Sequence, residues 1–148
     1  NGGGFTPPHN LYYDTSVFSV YVESLIYQSD LKTMCATEKT FTPMCKGHFI
    51  MPFGTPYFVK HLKDDYGFKF PQWIDYTYDG VSAENLPFTE QIRWDTWIEE
   101  IKAVCSMGGK SLYQRKRDDI NILLHNRSIM RDYGPRHDLS ENIEYLMG

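Results

Sequence analysis

Two apolar runs with a helix start between them constrain this chain more than any other feature. Residues 16–26 read Ser-Val-Phe-Ser-Val-Tyr-Val-Glu-Ser-Leu-Ile, a β-branched and aromatic run that suits a largely buried strand. Residues 28–33 are polar and loop-like. A short helix is expected at 36–41, with Thr37 as N-cap and Glu38 in the first turn. Pro43 should kink or shorten it, because its ring nitrogen cannot donate back to Lys39. Gly47 ends it. A second strand is expected from residue 48, ending near Met51 because Pro52 interrupts the ladder. Thr55-Pro56 then reads as a cap and a first helical residue. Phe58, Val59, Leu62 and Tyr66 share one face of that helix, and Gly67 closes it. Residues 68–70 read as a third short strand, and 73–80 as an aromatic loop ending in a turn. The order β-α-β-α-β predicts an α/β fold with a small parallel, Rossmann-like sheet.

From about residue 87 the pattern becomes helical and predicts a C-terminal cap on that sheet. Trp94, Trp97, Ile98, Ile101, Val104 and Cys105 fit helical spacing over 87–107. A second long helix is expected over 110–133, with Ile120, Leu123, Leu124 and Met130 facing inward. Gly134-Pro135 should stop it, and a last short helix is expected at 139–147. Residues 16–148 therefore read as one domain. Asn1-Gly2-Gly3-Gly4 and Pro7-Pro8 mark residues 1–15 as a loop or a cut boundary, as in a piece of a longer protein.

Composition narrows the function classes. Fifteen Lys plus Arg stand against 19 Asp plus Glu, a formal charge of -4. That balance argues against a general nucleic-acid binder, which needs a basic face. Apolar residues make up 41% and aromatics 16%, enough for a packed core. No apolar run approaches the roughly 20 residues of a membrane helix. Three cysteines (Cys35, Cys45, Cys105) make an odd count, which favours a reducing, cytoplasmic setting over a disulfide framework.

Several motifs are weak on inspection. Gly108-Gly109-Lys110-Ser111 imitates the end of a phosphate-binding loop, but Val104 stands where its first glycine belongs and a helix precedes it. An interhelical turn is expected there instead. Cys35, Cys45 and His48 match no zinc spacing. Arg115-Lys116-Arg117 followed by Asp118-Asp119 reads as a charged helix face. Asn126-Arg127-Ser128 matches a glycosylation acceptor but falls inside a helix.

The informative segment is 37–53. The first amides of the helix beginning at Thr37 would lack intrahelical partners and point outward with the positive end of the dipole. Lys39 adds a full charge to that anion site, and an ionised Glu38 could accept hydrogen bonds from sugar hydroxyls. In an open α/β sheet such a site lies at the carboxyl ends of the strands. An ordinary charged first turn, with Glu38 complementing the dipole and Lys39 solvated, accounts for the same residues.

Ser19-Val20-Tyr21-Val22-Glu23-Ser24, Ala36-Thr37-Glu38-Lys39-Thr40-Phe41 and Gly47-His48-Phe49-Ile50-Met51-Pro52-Phe53-Gly54 together resemble the donor-binding, C-terminal half of GT-B glycosyltransferases. They are most similar to the fucosyltransferase-like branch, where a strand ends in Glu and Thr-Glu-Lys opens a helix. Gly67-Phe68-Lys69-Phe70 and Ile74-Asp75-Tyr76-Thr77-Tyr78-Asp79 resemble small phage-associated proteins with the same Thr-Glu-Lys core. The resemblance spans residues 16–79. It implies a nucleotide-sugar donor bound by Thr37, Glu38, Lys39, Thr40 and Glu23, with Lys39 on the diphosphate and Glu38 on the sugar or ribose. It implies no metal or other cofactor, and an acceptor-binding domain or partner outside this chain. The competing expectation is a non-catalytic interaction module that docks through Trp94, Trp97 and Tyr113.

Overall fold

The computed structural model describes residues 13–24, 36–80 and 86–133, the side chains of 86–89 excepted. The segments expected at 1–12, 25–35, 81–85 and 134–148 lie outside them, Cys35 included. Two parallel strands, β1 (Phe18–Val22) and β2 (Phe49–Phe53), pair in register from Phe18 opposite Phe49 to Val22 opposite Phe53. Helix α1 (Glu38–Cys45) lies between them in sequence. Parallel neighbours cannot be joined by a hairpin, and this crossover meets that requirement. The protein is an α/β domain.

Helix α1 starts at Thr37, whose extended backbone lets its hydroxyl accept from the Lys39 amide at 3.3 Å. Pro43 does not break it. With only two residues following, α1 closes through the Gly47 amide bonded to Met44 O and the His48 amide bonded to Pro43 O, with Gly47 at φ 74°. That is a Schellman closure, and the left-handed turn it needs suits glycine.

Pro52 does not end β2. Phe49 donates its amide to Val17 O and Phe53 accepts from the Glu23 amide. Alternate residues of β2 therefore turn their backbone groups toward β1, and Pro52 turns its missing N–H the other way. On that far side no described strand continues the sheet. Tyr76 Oη donates instead to Ile50 O at 2.7 Å. The third strand expected at 68–70 is irregular: the Asn126 side chain receives the Lys69 amide and donates to Lys69 O, both at 2.8 Å. One buried amide supplies the pairing that a neighbouring strand would have given.

Helix α2 (Phe58–Asp64) also departs from expectation. Neither Thr55 nor Pro56 begins it. Tyr57 precedes it at φ 65°, and the Asp79 carboxylate accepts the Val59 and Lys60 amides at 2.8 and 2.9 Å. Asp79 belongs to α3 (Thr77–Gly80), a helical turn inside the expected aromatic loop. Gly67 at φ 75° ends the α2 region as expected.

Helix α4 (Leu86–Ser106) buries Trp97 and Val104 but leaves Trp94 38% exposed and Cys105 exposed. Gly108, at φ 78°, forms the expected interhelical turn. The expected single helix over 110–133 is two, α5 (Gly109–Asp118) and α6 (Ile120–Tyr133). Asp119 separates them, and its carboxylate accepts from the Trp73 indole at 2.9 Å. Leu123 and Met130 face inward, whereas Ile120 and Leu124 are exposed, contrary to the spacing. All four lie on α6, whose buried face runs Leu123, Asn126, Met130; Leu124 is one residue round the helix from that face, and Ile120 is the first residue after the break. One core cluster joins Val17, Phe49, Met51 and Val104; a second joins Met44, Ile50, Phe58 and Met130.

Candidate functional site

Successive strand residues point to opposite faces, so Ser19, Tyr21 and Glu23 align on one side of β1. That side meets α1 through polar contacts. Glu23 is 3% exposed, and its carboxylate accepts from the Thr37 amide at 3.2 Å and the Thr37 hydroxyl at 2.7 Å. Thr40, fully buried, donates to the same carboxylate at 2.5 Å and accepts from Tyr21 Oη at 2.7 Å. A Tyr21–Thr40–Glu23 chain therefore ties the end of β1 to the first turn of α1. Burial pushes the Tyr21 phenol well above its ordinary range, the Thr40 contact opposes that shift, and the Glu23 charge adds to it. The phenol stays protonated and serves as a donor.

The first-turn amides of α1 are largely engaged. Lys39 N reaches the Thr37 hydroxyl, and the Thr40 and Phe41 amides reach Thr37 O at 3.0 and 3.3 Å. The negative charge that a helix start attracts is supplied from within the chain, by Glu23. Glu38 and Lys39 are exposed. The Lys39 ammonium folds over the end of β1, 3.3 Å from Val22 O and 3.4 Å from Ser24 Oγ. Both contacts are neutral, and among the described residues Lys39 forms no ion pair. Of the residues singled out in the sequence, Glu23, Thr37 and Thr40 come together in one network. Lys39 lies beside them, and Glu38 stands apart in solvent. Tyr21 is the member that sequence reasoning missed; its spacing of two from Glu23 was the available signal.

Beyond β2, Arg93 is fully buried and fixes the loop that follows the strand. It donates to Gly54 O at 2.8 Å, Tyr78 O at 3.1 Å and Glu90 Oε1 at 2.9 Å, and lies over the Phe53 ring. A Cβ at Gly54 would meet the Phe58 ring at 2.8 Å, so this loop admits only glycine without rearrangement. Burial raises the Asp79 carboxyl above its ordinary value, while its two backbone donors and Arg93 pull the other way.

At the opposite end of the strands His48 is buried. Its Nε2 lies 2.7 Å from Tyr13 O, and its Nδ1 lies 2.8 Å from Ser19 Oγ. A carbonyl only accepts, so Nε2 carries the proton and the Ser19 hydroxyl donates to Nδ1. Among the described residues no group of three His, Cys, Asp or Glu side chains is arranged to hold a metal ion. No described helix is long and apolar enough to cross a membrane.

Compared with known proteins, the chain matches no family model, no curated protein and no solved structure.

Proposed function

We propose that this chain is the nucleotide-sugar donor-binding domain of a glycosyltransferase, with a Rossmann-like core under a helical C-terminal cap. The observation that carries the reading is the Lys39 ammonium. It is exposed, has only neutral partners among the described residues, and stands beside a helix start at the carboxyl end of a parallel strand. A diphosphate placed there would meet a full positive charge in the region where α/β folds bind ligands. In sugar transfer the leaving diphosphate gains charge as the glycosidic bond breaks, and Lys39 would stabilise that charge. Glu38, exposed one residue earlier, would accept from donor hydroxyls. Glu23 and Thr40 would act as positioning residues: their hydrogen bonds hold Thr37 and orient the turn that carries Lys39. The acceptor and the catalytic base would come from outside this chain.

Calorimetric titration of the chain with a panel of nucleotide sugars tests the reading, with Lys39→Ala alongside and circular dichroism to confirm its fold. Losing one charge-assisted contact should weaken donor binding about ten- to a hundredfold. Absence of binding to every donor, or equal binding by the variant, removes the proposal. In that event the interaction-module reading takes its place, supported by the partly exposed Trp94 and Tyr113 rings.

A further inference from the structure

The break between α5 and α6 brings together residues that the sequence keeps far apart. Lys63 from the last turn of α2, Lys69 from the irregular stretch and Arg115 from α5 line a cavity of about 660 Å³. Phe70 and Trp73 form part of its wall, and Asp119 is its one carboxylate among the described residues. The volume is typical of small-molecule sites. Trp73 packs edge-on against Phe49, the first residue of β2. Lys39 lies beyond Val22, at the other end of β1. The two places are therefore separated by the length of the strands, roughly 13 Å or more.

Three features mark this concavity as more than a solvated charged face. Among the described residues its lining carries three cations against one carboxylate, an excess of two positive charges on a chain whose net charge is -4. None of the three cations forms an ion pair among the described residues. The frame is also fixed in advance. The Asn126 clamp holds the Lys69 backbone, and the Lys63 ammonium rests 5.3 Å from the Phe70 ring centre and 5.5 Å from that of Tyr76. The Asp119 bond sets the orientation of the Trp73 indole. Like charges lining one cavity repel, and a bound anion relieves that repulsion.

We propose that this cavity binds a small organic phosphate, a phosphate monoester carried on a flat apolar group. Such a monoester bears about -1.5 to -2 charges at neutral pH, which matches the excess in the lining. Arg115 offers the planar fork that receives phosphate oxygens in pairs. The Phe70 and Trp73 rings, with Phe68 and Ile122 beside them, supply apolar surface for the rest of the molecule. The site is independent of Lys39, so it stands or falls separately from the donor reading.

The test uses the full chain labelled with ¹⁵N and three probes: the monophosphate ester 1-naphthyl phosphate, its parent 1-naphthol and inorganic phosphate. The monophosphate should shift the Trp73 indole N–H and bind at least about tenfold more tightly than either fragment. A Lys69→Ala, Arg115→Ala double variant, which keeps the Lys69 backbone clamp, should lose about tenfold or more in affinity. Lys63→Gln should weaken binding in the same direction, with affinity read at the Trp73 indole N–H. The proposal is overturned if the monophosphate leaves Trp73 unperturbed, binds no better than a fragment, or binds the double variant as tightly as the native chain.

Discussion

Helices α1 and α2 both begin close behind a strand or its loop, and both have a buried carboxylate at their N-terminus. They acquire it in different ways. At α1, Thr37 caps the helix itself, and Glu23 arrives from the preceding strand to hold Thr37. At α2, the N-cap Tyr57 has no side-chain bond to give, and Asp79 reaches in from 20 residues further along the chain. The first start leaves Lys39 in solvent, whereas at the second Phe58, Val59 and the capping Asp79 are all buried. A locally capped start can present a charge to a ligand. A start capped from a distance is committed to holding the fold together.

That contrast can be broken by measurement, first at Arg93. Arg93→Ala would leave Gly54 O and Tyr78 O without this donor and Glu90 without its cation in a buried setting. A loss of about 3–5 kcal/mol in urea unfolding is expected. Asp79→Ala strips the acceptor from two amides, one of them buried, and should cost about 1–3 kcal/mol in the same assay. Thr37→Ala, at the half-exposed start, should cost less, about 0.5–2 kcal/mol. If Thr37→Ala proves more damaging than Asp79→Ala, the division between a sealed and an open helix start fails.

The smallest expected effect is a slope rather than a step. Burial holds the His48 imidazole below its ordinary value of 6.5, with a smaller push from Lys116, against the opposing effects of Tyr13 O and Asp14. The unfolded chain therefore takes up this proton at a higher pH than the folded one does. Stability should fall as pH drops below about 6.5, by no more than about 1.4 kcal/mol per unit for one proton. His48→Gln should flatten that part of the profile in thermal unfolding measured across pH. An unchanged slope would mean that His48 is as easily protonated folded as unfolded.

Much of the α1 region was legible because its signals are local. Thr37 capping, a glycine closing the helix and a strand running into Glu23 are consequences of adjacent residues. The period of two along β1 would also have disclosed Tyr21 beside Glu23. The reading of residues 68–70 as a strand failed for the opposite reason. Its hydrogen-bond partner is one side chain, Asn126, more than fifty residues away. Pro52 was misjudged because a proline ends a ladder only when its nitrogen faces the partner strand, and a sequence does not state which edge is paired. The groove around Trp73 was invisible for a related reason: Arg115 reads as one cation in a basic run until the fold sets it in one cavity lining with Lys63 and Lys69.

By itself the sequence determined the parallel β-α-β order, the start and closure of α1, and the presence of a charged first turn at Lys39. These follow from backbone preferences and short-range hydrogen bonds, which depend on neighbours in the chain. Only the tertiary structure decided that Asp79 caps α2, that Asn126 replaces a strand, and that Lys63, Lys69 and Arg115 line one cavity with Trp73. Those arrangements arise because buried polar groups must find partners wherever packing brings them, and spacing along the chain does not specify which ones they will meet.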